Sequence, residues 1–170
     1  MRSGACKRSL CLLVVLAWLL AATACGRQMP VPPSASSGAQ TETDTAALAD
    51  AAAYVLRTVP EPQCGSVGGE WAVLGLARSG YGDAAWSETY YDNLVAYAQA
   101  QDGVLHARKY TEYARVVLAL TAIGKDPRDV GGYDLLALLG DFERVTFQGL
   151  NGAVFALLAL DAGGYAVPAA

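Results

Sequence analysis

The chain has 170 residues, of which 54% are hydrophobic and 16% charged, with a formal net charge of -4. This length suits one domain with a real core, and so much apolar content excludes a disordered or highly charged protein. With 12 Lys and Arg against 16 Asp and Glu, no basic stripe is available to neutralise phosphates, so no nucleic-acid partner is expected. A single His removes most His-based metal and triad chemistry.

In chain order, the first element is not part of the fold. Arg2, Lys7 and Arg8 form a basic head, LCLLVVLAWLL follows without charge, and the exit Ala21-Ala22-Thr23-Ala24-Cys25 is small. A positive head, a short apolar run and a small-residue exit are the requirements of a secretory signal, and the run is short for a spanning helix. The exit resembles a bacterial lipobox, Ala22-Thr23-Ala24-Cys25, with Ala22 where such boxes favour Leu. That resemblance implies a signal peptide over 1–24, lipidation of Cys25, and an exported chain anchored to the cell membrane on its extracellular face. Residues 1–24 hold three of the 12 basic residues and none of the 16 acidic ones, so the mature charge becomes -7. Cys6 and Cys11 leave with the signal, and a lipidated Cys25 leaves Cys64 without a partner. Residues 25–43 follow as the lipidated Cys and a Pro- and Ser-rich linker, a tether between lipid and domain.

Residues 44–170 read as all-α. Residues 44–58 form an Ala- and Leu-rich helix capped by Asp44 and stopped by Pro60 and Pro62. Residues 69–79 are apolar nearly all round and end at Gly80. Residues 85–102 carry the stripe Trp86, Tyr90, Leu94, Tyr97 and Gln101 at helical spacing. Residues 109–123 are apolar on most sides, 130–140 form a shorter amphipathic helix, and 150–162 are again apolar nearly all round. Thr111 and Asn151 are candidate caps. All-round apolar helices are buried ones, so 69–79, 109–123 and 150–162 read as an inner layer clad by outer helices 44–58, 85–102 and 130–140.

The inner helices repeat. Leu74-Gly75-Leu76-Ala77-Arg78-Ser79-Gly80 superposes 44 residues on as Leu118 to Gly124, and 40 further on as Leu158 to Gly164. Each copy begins Leu, small, Leu, continues with a polar or small pair and closes on Gly, and the period is that of one helical hairpin. The segments YTEYARVVLALTAIGKDPRDVGGYDLL and GLNGAVFALLALDAGGYAVP resemble prenyltransferase and squalene-cyclase type repeats. They look more closely like the exported Gram-positive versions, which are related in fold to transcobalamin and intrinsic factor. The resemblance covers roughly 46–168 and implies an α/α toroid whose inner helices ring a cavity. A complete toroid of that family has about six hairpins. Here about three are present, so an incomplete toroid is expected, either a fragment or a half completed by a partner through its unfinished apolar end.

The chemistry of that family is mostly missing. No DxDD acid motif occurs, and Asp126-Pro127-Arg128-Asp129 reads as a turn. His106 and Cys64 lack zinc-ligand spacing, so no metal and no cofactor are expected. No nucleophile-elbow, HExxH, P-loop or dinucleotide motif occurs. Glu70 and Glu112 are a candidate acid/base pair if they converge. What remains is a polar and aromatic set at the inner-helix starts, Glu70, Trp71, Tyr110, Thr111, Tyr113 and Asn151, placed at one mouth of the cavity to bind a ligand. The expected function is non-catalytic binding of a small molecule or a protein at the cell surface. The rival readings are a cyclase- or prenyltransferase-like enzyme, a corrinoid binder, or a structural module docking through its unfinished end.

Overall fold

The computed structural model describes residues 37–65 and 68–168, with side chains from residue 42 onward. The signal, the Cys25 anchor and linker residues 26–36 lie outside the described residues. The chain divides into two compact units, Met1–Thr41 and Glu42–Ala170, and the described core belongs to the second.

The architecture is all-α. In chain order the helices are α1 (Ser37–Thr58), α2 (Glu70–Ser79), α3 (Ala84–Ala100), α4 (Tyr110–Ala122), α5 (Phe142–Thr146) and α6 (Leu150–Gly163), with a 3-10 turn at Ala137–Gly140. Among the described residues there is no strand, only an isolated bridge between Val130 and Tyr133. No described helix is long and apolar enough to cross a membrane.

Five expected helices are present with boundaries shifted by a few residues. The largest shift is at α1, which begins at Ser37, so Asp44 lies inside the helix rather than capping it. The linker's last proline is Pro33, so no proline interrupts the backbone from Ser37 to Thr58. Thr58, at the other end, turns its hydroxyl back onto the Tyr54 carbonyl at 2.8 Å. Thr111 and Asn151 are likewise not caps. α4 starts after Lys109 and α6 after Gly149, which places both residues inside the first turn.

The expected outer helix 130–140 does not form. Gly131 and Gly132 take φ of 62° and 94°, folding the chain so that Val130 and Tyr133 exchange backbone hydrogen bonds. The Leu135 N–H is taken by the Pro127 carbonyl at 3.0 Å, and helical geometry returns only at the 3-10 turn. Leu135, Leu136 and Leu139 have the spacing of one helical face, and they and Val130 are buried, but two adjacent glycines favour the turn. α5, which the sequence pattern did not suggest, follows as a short helix capped by Asp141, whose carboxylate accepts the Arg144 N–H at 3.1 Å.

α4 is the centre of the fold. It packs against α2 on one side and α6 on the other, and Val116, Val117, Ala119 and Leu120 are fully buried. The three helices run parallel, start beside start and end beside end. Thr111, at the start of α4, donates its N–H and hydroxyl to Gln148, just before α6, both at 3.1 Å. At the far ends, the Thr121 and Tyr165 hydroxyls meet at 3.2 Å.

α3 covers this layer with Trp86, Tyr90, Leu94 and Ala98 buried. Its buried stripe follows a strict four-residue step, so Tyr97 and Gln101 fall on the exposed side rather than continuing it. The Trp86 indole N–H also donates to the Val59 carbonyl at 2.6 Å, fastening α3 to the end of α1.

α6 departs most from its sequence pattern. Apolar nearly all round, it was expected to be buried. Instead Leu150, Val154, Leu157 and Leu158 form an exposed face.

Candidate functional site

The six residues expected at one mouth do not form one site. The structure distributes them over a buried polar cluster, an open cleft, a half-buried contact of Thr111 with Gln148 and two surface positions.

Glu70 belongs to the buried cluster. Its carboxylate, 3% exposed, accepts the Gly65 N–H at 2.8 Å and the Tyr90 hydroxyl at 3.3 Å. Arg115 approaches from α4, its Nε 3.9 Å from Glu70 Oε2, while its other end is paired with Glu112. Glu70 and Glu112 therefore do converge, but on a guanidinium placed between them. A buried carboxylate needs such a partner and hydrogen bonds, because burying it unpaired costs several kcal/mol (about 3–5 when one partner is removed). Arg115 Nε is buried and makes no hydrogen bond among the described residues.

Cys64 lies against the same cluster as a free thiol. Burial pushes its pKa up, and the Glu70 charge and hydrogen bond push it further. Burial likewise raises the Tyr90 phenol, with Glu70 adding to the effect. Both groups stay protonated beside the carboxylate, so Cys64 is a poor nucleophile. The cluster ties the 59–65 loop, α2, α3 and α4 together, and its geometry is that of a structural pin.

Tyr110 and Tyr113 take part in a different feature. At the start of α4 they form one wall of a cleft of about 390 Å³, with Gly103, His106, Tyr133, Asp134, Leu138 and Arg144 also lining it. The two rings lie 5.0 Å apart, tilted by 42°. Tyr113 is used internally, since its hydroxyl accepts the His106 N–H at 3.4 Å and donates to the His106 carbonyl at 3.3 Å. Burial raises its pKa, and the hydrogen bond to the His106 backbone partly offsets that.

The loop before α4 is held by local chemistry. His106 Nδ1 accepts the backbone N–H groups of Arg108 and Lys109, both at 3.1 Å, which fixes the imidazole in the tautomer with its proton on Nε2. The side chain thus does a cap's work where Lys109 at the N-cap position makes no side-chain bond. Gly103, at φ 78°, packs directly beneath the Tyr133 ring. A Cβ there would lie 2.5 Å from Tyr133 Cδ1, so this wall requires glycine.

Arg144 supplies the cleft's charge. Its Nη1 donates to the Tyr110 hydroxyl at 2.9 Å, and its Nε lies 3.2 Å from Asp141 Oδ2. The Tyr110 hydrogen bond is the main reason its pKa is raised. Beyond the Tyr110–Arg144 pair a second hollow of about 410 Å³ opens, lined by Ala107, Arg108, Glu143 and Phe147. The Arg108 guanidinium lies over the Phe147 ring at 4.3 Å. The two hollows together offer aromatic faces and two guanidinium groups, with Asp134 and Glu143 at their edges.

The other expected residues stand apart. Trp71 is 51% exposed and meets Phe155 edge-on at 5.9 Å. Thr111 is committed to Gln148, and Asn151 is exposed on α6.

Of the cleft residues, Arg144, Tyr133, Gly103 and His106 carry no binding signal in the sequence pattern. Arg144 sits on α5, a helix too short to leave a periodic signal. His106 was visible as the chain's lone His, but its capping role depends on the loop geometry. Among the described residues no group of His, Cys, Asp and Glu is arranged to hold a metal ion. Comparison of the chain with protein-family models, curated proteins and solved structures finds no match.

Proposed function

We propose that this chain is an exported, lipid-anchored helical-repeat protein that binds a small anionic aromatic or amphipathic molecule in the cleft at the start of α4. The anchor reading rests on the basic head, apolar run and lipobox-like exit at residues 1–25. The toroid reading rests on the three superposable repeats and on the parallel packing of α2, α4 and α6.

The observation that carries the binding reading is the cleft of Tyr110, Tyr133 and Arg144. It combines flat apolar faces with a guanidinium that is oriented by Tyr110 and open to solvent. Aromatic walls supply contact area, and a positioned guanidinium supplies a charge-assisted hydrogen bond to a carboxylate or sulfonate. The buried polar cluster argues for binding rather than catalysis. Its carboxylates are matched by Arg115, and its thiol is held protonated.

Two measurements test the two parts. Metabolic labelling with palmitate is expected to mark the wild type and not Cys25→Ser, and equal labelling of both contradicts the anchor. Calorimetric titration with 2-naphthoate is expected to show binding that weakens about tenfold in Arg144→Gln, as loss of a charge-assisted pair implies. The neutral analogue 2-naphthalenemethanol is expected to bind both proteins alike. Equal naphthoate affinity in wild type and variant contradicts the assignment.

A further inference from the structure

The repeat provides an internal standard for what each helix face should touch. By the 44- and 40-residue offsets, Tyr110, Ala114 and Val117 of α4 correspond to Leu150, Val154 and Leu157 of α6. On α4 these positions are buried, Tyr110 (against Arg144 of α5) to 4% and Val117 to 0% exposure. On α6 the same positions are bare, with Leu150 at 79% and Leu157 at 63%. The apolar ridge is therefore covered on α4 and bare on α6.

The complementary face is uncovered in the first copy. Ala119 and Ala159 are fully buried, yet their equivalent on α2, Gly75, is exposed, and a Cβ built there meets nothing within 4 Å. Gly75 lies in a mostly apolar groove of about 200 Å³ between α1 and α2, walled by Leu48, Val55, Trp71 and Leu76. One end of the layer presents a ridge and the other a small-residue groove.

We propose that the α6 ridge of one copy of this chain docks into the α1/α2 groove of a second copy, continuing the parallel α2–α4–α6 layer across the interface. The polar ends fit this arrangement: translating the Thr121–Tyr165 hydroxyl contact by one repeat brings the exposed Asp161 carboxylate opposite the Tyr81 hydroxyl of the second copy. Such an interface is heterologous, so each copy retains one free ridge or groove until a ring closes or a filament grows. The inference does not depend on what the Tyr110–Arg144 cleft binds.

The test is co-capture of two differently tagged full-length copies from the same cells, using Leu157→Glu to block the ridge and Gly75→Trp to fill the groove. Both positions are open, so both variants are expected to fold, and thermal melts check this; Leu150→Glu is the alternative ridge variant. Wild type is expected to capture wild type. Capture between two Leu157→Glu copies, or between two Gly75→Trp copies, is expected to fall about tenfold or more, as loss of a central contact implies. Mixing Leu157→Glu with Gly75→Trp is expected to restore capture, because the intact groove of one meets the intact ridge of the other. No capture of wild type by wild type overturns the proposal. So does full capture between two Gly75→Trp copies, which is the outcome of symmetric α6-on-α6 pairing.

Discussion

Glu70 illustrates how a single residue's chemistry depends on what folding places beside it. As a polar residue at the start of an apolar helix it reads as a ligand contact. In the fold it is buried, bonded by Gly65 and Tyr90 and faced by Arg115. The residues that decide this come from a loop and two other helices, so no local pattern announces them. The cluster also sets a pH dependence. Cys64 and Tyr90 both have raised pKa values in the folded chain. The unfolded chain releases these protons from about pH 8.5 for the thiol and about pH 10 for the phenol, while the folded chain keeps them. Stability is therefore whole below that window and falls as pH rises through it, at up to about 1.4 kcal/mol per pH unit for each proton. Urea titrations from neutral to alkaline pH are expected to show this decline, and Cys64→Ala is expected to remove its first part. A variant slope equal to the wild type between pH about 8.5 and 10 contradicts the placement of Cys64.

At the scale of elements, hydrophobic period and helix breakers were enough to locate α2, α3, α4 and α6, because each has a long apolar pattern and a Gly or Pro nearby. The failures have separate causes. The 130–140 stripe is buried as its pattern implies, but Gly131 and Gly132 turn the backbone before a helix can start. α5 has only five residues, less than two turns, and depends on its Asp141 cap. α6 has the composition of a buried helix and the neighbours of an edge one. Stability measurements separate composition from placement. Leu120→Ala, in the centre of α4, is expected to cost about 2–5 kcal/mol, as for other buried leucines. Leu157→Ala, equally apolar in sequence, is expected to stay within about 0.5 kcal/mol when measured on Leu150→Glu protein, in which ridge docking is blocked. A large loss at Leu157 in that background would mean that the ridge packs within its own chain.

For the whole molecule, the repeat is legible in the sequence, and it organises the comparison of α2, α4 and α6. By the 44- and 40-residue offsets α2, α4 and α6 carry one sequence pattern, and the structure buries Ala119 and Ala159 where it leaves Gly75 bare. The cleft was less legible. Tyr110 and Tyr113 were picked out by their place at a helix start, but Arg144, Tyr133 and Gly103 join them from a turn region and a short helix whose positions follow from tertiary packing. Binding at this cleft is the central claim, and residue-resolved NMR during the 2-naphthoate titration tests it most directly. Shifts concentrated at the amides of Gly103, Tyr133, Leu138 and Arg144 are the predicted result. Shifts confined to the exposed face of α6, or absent from all four amides at saturation, would contradict it.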